Sequence, residues 1–126
     1  MRPTFATILS ATVVLPIASS SYAALLTGVT ANNQYLTFDS SAPNVLLTSK
    51  AISGLVPNEA IRGIDYRPTN GLLYALGQFG NVYTIDPSLP GPAVATWLFD
   101  VNTDPDLIAD GGLSGTNFGF DFNPSA

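Results

Sequence analysis

Glycine and proline punctuate this chain too densely for long helices. There are eleven glycines and ten prolines, and past the first two dozen residues they recur every few positions. The side chains that fill exposed helix faces are scarce, since Lys50 and Glu59 are the one lysine and the one glutamate. Between the breaks the apolar residues alternate with a period of two. Leu72, Tyr74 and Leu76 share one face of "GLLYALG", with Leu73 and Ala75 on the other. In "NVYTIDP", Tyr83 and Ile85 oppose Val82 and Thr84. Short alternating runs bounded by turn signals predict an all-β chain arranged as an antiparallel meander.

The turns sharpen that reading. Asn70-Gly71 after Pro68 is a strong hairpin signal, because both residues tolerate positive φ. Gly80 centres a second reversal. Asp86-Pro87 ends a strand, since proline cannot donate to a ladder. Residues 61–86 therefore read as three antiparallel strands, with a fourth over 93–101.

Two stretches echo each other. "LTGVTANNQYLTFD" (Leu26–Asp39) aligns without gaps to "LYALGQFGNVYTID" (Leu73–Asp86). "GIDYRP" (Gly63–Pro68) returns as "GFDFNP" (Gly119–Pro124). Periods of roughly 50 residues point to propeller blades or similar repeats. One complete unit lies at 61–101, a partial one before it, and the first strand of a third after it. The expectation is thus about two propeller-like blade units, incomplete. Propellers close with roughly four to eight blades, and each buried backbone group left unpaired costs about 1–3 kcal/mol. The chain reads as cut short: a fragment, a terminated product, or a piece that completes itself by self-association through unpaired sheet edges.

Residues 1–23 read as a signal peptide forming an N-terminal signal helix. Met1-Arg2 carries positive charge, Phe5–Ile17 is mostly apolar, and Ser21-Tyr22-Ala23 offers small residues at the exit. The apolar run falls short of the roughly 20 residues needed to span a bilayer, and no later segment is long and apolar enough to cross. The product is expected outside the inner membrane, periplasmic or extracellular, with residues 24–126 forming one β-repeat domain, itself partial.

Charge and composition exclude some partners and chemistries. The whole chain carries a net charge of −5. Loss of the leader removes Arg2 and leaves three basic against nine acidic side chains. That balance repels phosphate backbones and argues against nucleic acid as a partner. Cysteine and histidine are absent, so neither disulfides nor the common catalytic base and soft nucleophile are at hand.

The strings "GVTANNQYLTFD" (28–39), "GIDYRPTNGLLYALGQFGNVYTIDP" (63–87) and "LSGTNFGFDFNPSA" (113–126) together resemble a bacterial exported family known as domain of unknown function 4394. The resemblance covers about Leu26 to Pro124. It implies export and a propeller-like β fold, and it implies no chemistry. In that family the Gly-Phe-Asp-Phe-Asn-Pro strand looks like a midpoint, whereas here the sequence stops at Ala126.

The strongest metal candidate is the alternation Asp100, Asn102, Asp104, Asp106 in "DVNTDPDLIADGG", which places hard oxygens as a calcium loop does. Pro105 sits where the sharp turn wants glycine, the bidentate acid is missing, and no flanking helices are expected. The plainer reading is a solvated acidic loop. Asp65 and Asp121 invite comparison with paired glycosidase carboxylates. Their shared context, two residues after Gly and three before Pro, favours a turn brace that accepts backbone N–H groups, as do the strand-ending Asp39 and Asp86. Ser114 lacks the Gly-x-Ser-x-Gly spacing, and nothing places Lys50 beside a serine. The aromatics fall mostly at strand alternation and read as core. Phe79, at a hairpin tip, is the exception and a candidate contact residue.

The leading functional expectation is an exported non-catalytic β-repeat module, serving binding or cell-envelope structure without a cofactor. The alternatives are a carboxylate-based envelope hydrolase and a truncated remnant without independent function.

Overall fold

The computed structural model describes residues 23–124. The expected leader helix lies outside these residues, Ala23 excepted. Seven strands form in order: β1 (Leu25–Val29), β2 (Gln34–Asp39), β3 (Leu46–Ser53), β4 (Ile61–Tyr66), β5 (Leu73–Gly77), β6 (Asn81–Asp86) and β7 (Ala93–Asp100). A 3-10 turn (Val101–Thr103) and one short helix, α1 (Pro105–Ala109), follow. The strand echo is real in three dimensions: β2 and β6, and likewise β3 and β7, have the same lengths and are shifted by 47 residues.

Neighbouring strands pair antiparallel from β1 to β3 and again from β4 to β7. The two sets are not separate blades. Strand β3 joins β7 in parallel through Ile52↔Ala93 and Ser53↔Val94, giving one mixed sheet in the order β1-β2-β3-β7-β6-β5-β4. This corrects the antiparallel, blade-like expectation. The reason is backbone pairing: β3 and β7 would each end a blade with an open edge, and the parallel join pairs part of both edges. The join is staggered, linking the last two residues of β3 to the first two of β7.

The sheet curls into a nearly closed, barrel-like form. Its terminal strands, β1 and β4, face each other across a seam without a backbone ladder. Side chains bridge it, with the Thr27 and Tyr66 hydroxyls 3.4 Å apart. The core inside the curl is Tyr35, Ile61, Leu73, Ala75, Tyr83, Ile85, Ala93 and Ala95, with Val29, Ile52, Leu55 and Ile64 packed against it. Across one row, Leu73 pairs with Ile85 and Ile85 with Ala95. The alternation read from the sequence puts Leu73 and Ala75 inward as one set.

The Asn70-Gly71 turn is wider than a two-residue hairpin. Gly71 has φ +68, while Asn70 stays out of the positive-φ region. The Gly71 N–H donates to the Arg67 carbonyl at 2.8 Å, and the Leu72 N–H donates to Asn70 Oδ1 at 3.1 Å. Pro68 fixes φ near −65° at the start of this loop, which draws it into one helical-type turn closed by Gly71. Among the described residues no helix is long and apolar enough to cross a membrane.

Candidate functional site

Three clusters of polar side chains stand out, and only two were visible in the sequence. The first is the acidic loop after β7. Asp100 Oδ1 accepts the Asn102 N–H at 2.9 Å and the Asn102 amide at 3.0 Å. Asp104 Oδ1 accepts the N–H groups of Asp106 and Leu107 at the start of α1. The alternation of oxygens therefore follows from two successive caps, each satisfying orphan helical donors. Asn102 reaches back to donate to the Phe79 carbonyl at 2.8 Å and accepts the Leu113 N–H. The loop is thus pinned to the β5–β6 bend. Asp100 and Asp104 border a cavity of about 250 Å³ that Phe99, Val101, Thr103 and Leu107 complete. Among the described residues no group of three or more acidic, His or Cys side chains is placed to hold a metal ion. The helix inside this loop was not expected; Asp104-Pro105, a cap followed by an N1 proline, is the signal that announces it.

The second cluster joins the two Gly-x-Asp copies. Segment Gly119–Pro124 lies along β4. Asp65 Oδ2 accepts the Phe122 N–H at 2.7 Å, and Oδ1 accepts the Tyr66 N–H at 2.9 Å. The Phe122 N–H bond, ahead of that from Tyr66 and a further one from the Asp121 side chain, holds the Asp65 carboxyl below its ordinary pKa. The Phe122 N–H, one residue after Asp121, is what ties the second Gly-x-Asp copy to the first. The Phe122 ring meets Tyr74 edge-on at 5.0 Å and Phe120 at 5.4 Å, and Arg67 sits 6.0 Å from its centroid. Asp39 and Asp86, at matching strand ends, each accept the N–H two residues on, from Ser41 and Ser88. The serine hydroxyl and N–H lower the pKa of each carboxyl.

The third cluster escaped the sequence. Glu59, 3% exposed, turns its carboxylate into the β5–β6 bend. The Tyr83 hydroxyl and the Asn81 amide donate to it, the latter at 3.0 Å, and the Phe79 N–H donates at 3.2 Å. Tyr83, fully buried, also accepts the Val56 N–H at 3.1 Å. Burial, then the Glu59 contact, pushes the Tyr83 phenol up to about 12. A Cβ on Gly77 would overlap the Glu59 carboxylate, so glycine is what admits it. Asn33, in the left-handed region at φ +57, ties this segment to the β1–β2 bend. Its amide donates to the Glu59 carbonyl and its Oδ1 accepts the Ile61 N–H. The clue in the sequence is a lone glutamate two residues before a strand.

Phe79, the candidate contact residue, is 48% exposed at the tip between β5 and β6. Its N–H and C=O are held by Glu59 and Asn102, so the ring projects from a fixed backbone. Lys50 donates to the carbonyls of Pro87 and Leu89 and serves to hold that loop.

Comparison with known proteins places these features in a family. No curated protein and no solved structure matches the chain. A family profile described as "Domain of unknown function (DUF4394)" matches residues 34–126, which take in β2–β7, the buried Glu59 and both Gly-x-Asp copies. The chain belongs to the DUF4394 family.

Proposed function

We propose that this chain is an exported, non-catalytic β-repeat module that serves binding or cell-envelope structure. One observation carries the reading: the carboxylates of Asp39, Glu59, Asp65, Asp86, Asp100 and Asp104 each accept hydrogen bonds from this chain's own groups. These carboxylates serve bends, caps and a buried pin, so each has a structural use within the fold. Export rests on the order of charge, apolar run and small residues in the first 23 positions. The leader delivers the product to the periplasm or beyond. The functional surface in this reading is an exposed apolar set, with Phe79 at the β5–β6 bend and Trp97 and Phe99 on β7. The unpaired edges also make a second copy a partner.

The test is a screen of the purified chain against ester, glycoside and peptide substrates, alongside fractionation of cells carrying a reporter fused after residue 23. No turnover and an exported reporter are expected. The second reading, a carboxylate-based envelope hydrolase, is favoured by one observation: the Phe122 N–H bond to Asp65 brings the segment that carries Asp121 against the strand that carries Asp65. Reproducible hydrolysis that vanishes in Asp65→Asn or Asp121→Asn would replace the first reading with the second.

A further inference from the structure

Segment Gly119–Pro124 is a copy of the strand it covers. It runs along β4 in the same direction, with Phe120 beside Gly63 and Phe122 beside Asp65. Yet residues 119–123 form no strand of the sheet. What the segment meets is a groove with three features. Gly63 leaves a gap: a Cβ there would sit 2.6 Å from Phe120 Cβ. Asp65 reads one backbone N–H. Tyr74 and Arg67 flank one aromatic ring. Every copy of the chain carries a segment with these same complements.

The connection to the segment starts past Leu113, whose N–H Asn102 holds, and contains Gly115 at positive φ, a conformation open to glycine at little cost. Residues 114–117 are exposed. We infer that Gly119–Pro124 is an exchangeable strap, and that the groove of Gly63, Asp65, Arg67 and Tyr74 takes the same strap from a second copy of this chain. The exchange keeps every contact and changes only which chain supplies it, the condition under which swapping costs little. A short tether gives the strap an effective concentration of about millimolar in its own groove, so exchange grows with protein concentration. The inference needs no part of the non-catalytic reading, and a positive hydrolase assay would leave it standing.

Two complementary variants of the 126-residue chain test it. Gly63→Val blocks the groove and keeps the strap; Phe122→Ala spoils the strap and keeps the groove. Each alone is expected to be monomeric by sedimentation, and an equimolar mixture is expected to form a 1:1 dimer. A mixture that stays monomeric with both variants folded by circular dichroism would overturn the inference. So would dimers of Gly63→Val alone, which would place association on another surface. Should either variant fail to fold, wild-type chain decides. Labelled and unlabelled pools, refolded together at high concentration, are expected to show contacts between Tyr74 of one pool and Phe122 of the other. Contacts confined to single pools would refute the exchange.

Discussion

At the tip of β1–β2, Val29 pairs with Tyr35; at the tip of β5–β6, Leu76 pairs with Val82. The two tips are equivalent in sequence, 47 residues apart, and they bend in the same way. Asn33 and Gly80 sit at the same place with φ +57 and +92. The N–H of each donates three residues back, to Thr30 and to Gly77. Their carbonyls accept from Ile52 and Val101, both at 2.9 Å. What they bury differs. Tyr35 belongs to the core and Val29 packs against it, while Leu76 and Val82, also buried, lie outside that cluster. In the second hairpin the core residues are instead Ala75, Tyr83, Leu73 and Ile85.

The sheet order explains the difference. Strands run β1-β2-β3 and then β7-β6-β5, with β3 and β7 parallel. Reversing the order of a meander while keeping its third strand parallel requires a half-turn about the strand direction. That turn exchanges the two faces of the hairpin. Two hairpins of similar sequence therefore offer opposite faces to one core, the same consequence as a one-residue slip in register. The second hairpin is apolar on both faces near its tip, and the Glu59 pin and the loop after β7 close over that tip.

The contrast can be broken hardest at Glu59. Glu59→Ala leaves the Tyr83 hydroxyl, the Asn81 amide and the Phe79 N–H without their acceptor. At about 1–3 kcal/mol for each unsatisfied buried donor, a loss of about 4 kcal/mol is expected by denaturant unfolding. Next come the echo partners Leu73 and Leu26, which share a place in the repeat and not in the core. Leu73→Ala, at a residue 2% exposed, should cost about 2–5 kcal/mol. Leu26→Ala, at a residue 42% exposed, should cost under about 1 kcal/mol. Equal losses would mean that the hairpins present the same face.

Exchanging the left-handed residues gives a smaller effect. Asn33→Gly keeps the bend and loses two hydrogen bonds, worth about 1–2 kcal/mol together. Gly80→Asn tolerates the backbone, but its Cβ would overlap the Asn102 amide, so a loss of about 1–3 kcal/mol is expected. Two further effects are in pH. The Tyr83 phenol is raised from 10.0 to about 12 in the fold. Its contribution is complete below pH 10 and is lost as pH climbs through about 12, and Tyr83→Phe should remove that alkaline slope. Asp65 is lowered from 3.8, so its contribution is present above that value and fades as the solution is acidified. Asp65→Asn should flatten the acid limb.

The strands were legible where the pattern is strict. Leu73, Ala75, Tyr83 and Ile85 alternate cleanly because one face must stay out of water, and Gly and Pro mark the breaks. Repetition was legible too, since β2 and β6 share their spacing. The β3–β7 join was not, because it consists of Ile52, Ser53, Ala93 and Val94, four residues that would suit any strand. The turned face was hidden for the same reason: an alignment records which residues match and not which side they show. At the candidate sites, Asp39 and Asp86 stand in turn contexts where a side chain reaches a nearby N–H, and sequence shows such local geometry, whereas the Asp65 bond to Phe122 spans 57 residues. Glu59 gathers partners from 20 to 24 residues away, through a gap left by Gly77, and nothing local records that.

The parallel join is the point on which the fold account turns. Nuclear Overhauser contacts between Ile52 and Ala93, and between Ser53 and Val94, in the isotope-labelled chain measure it directly. Cross-strand contacts in that parallel register are expected. Their absence, with β3 and β7 each solvent-exposed along the whole outer edge, would return the molecule to two separate blades.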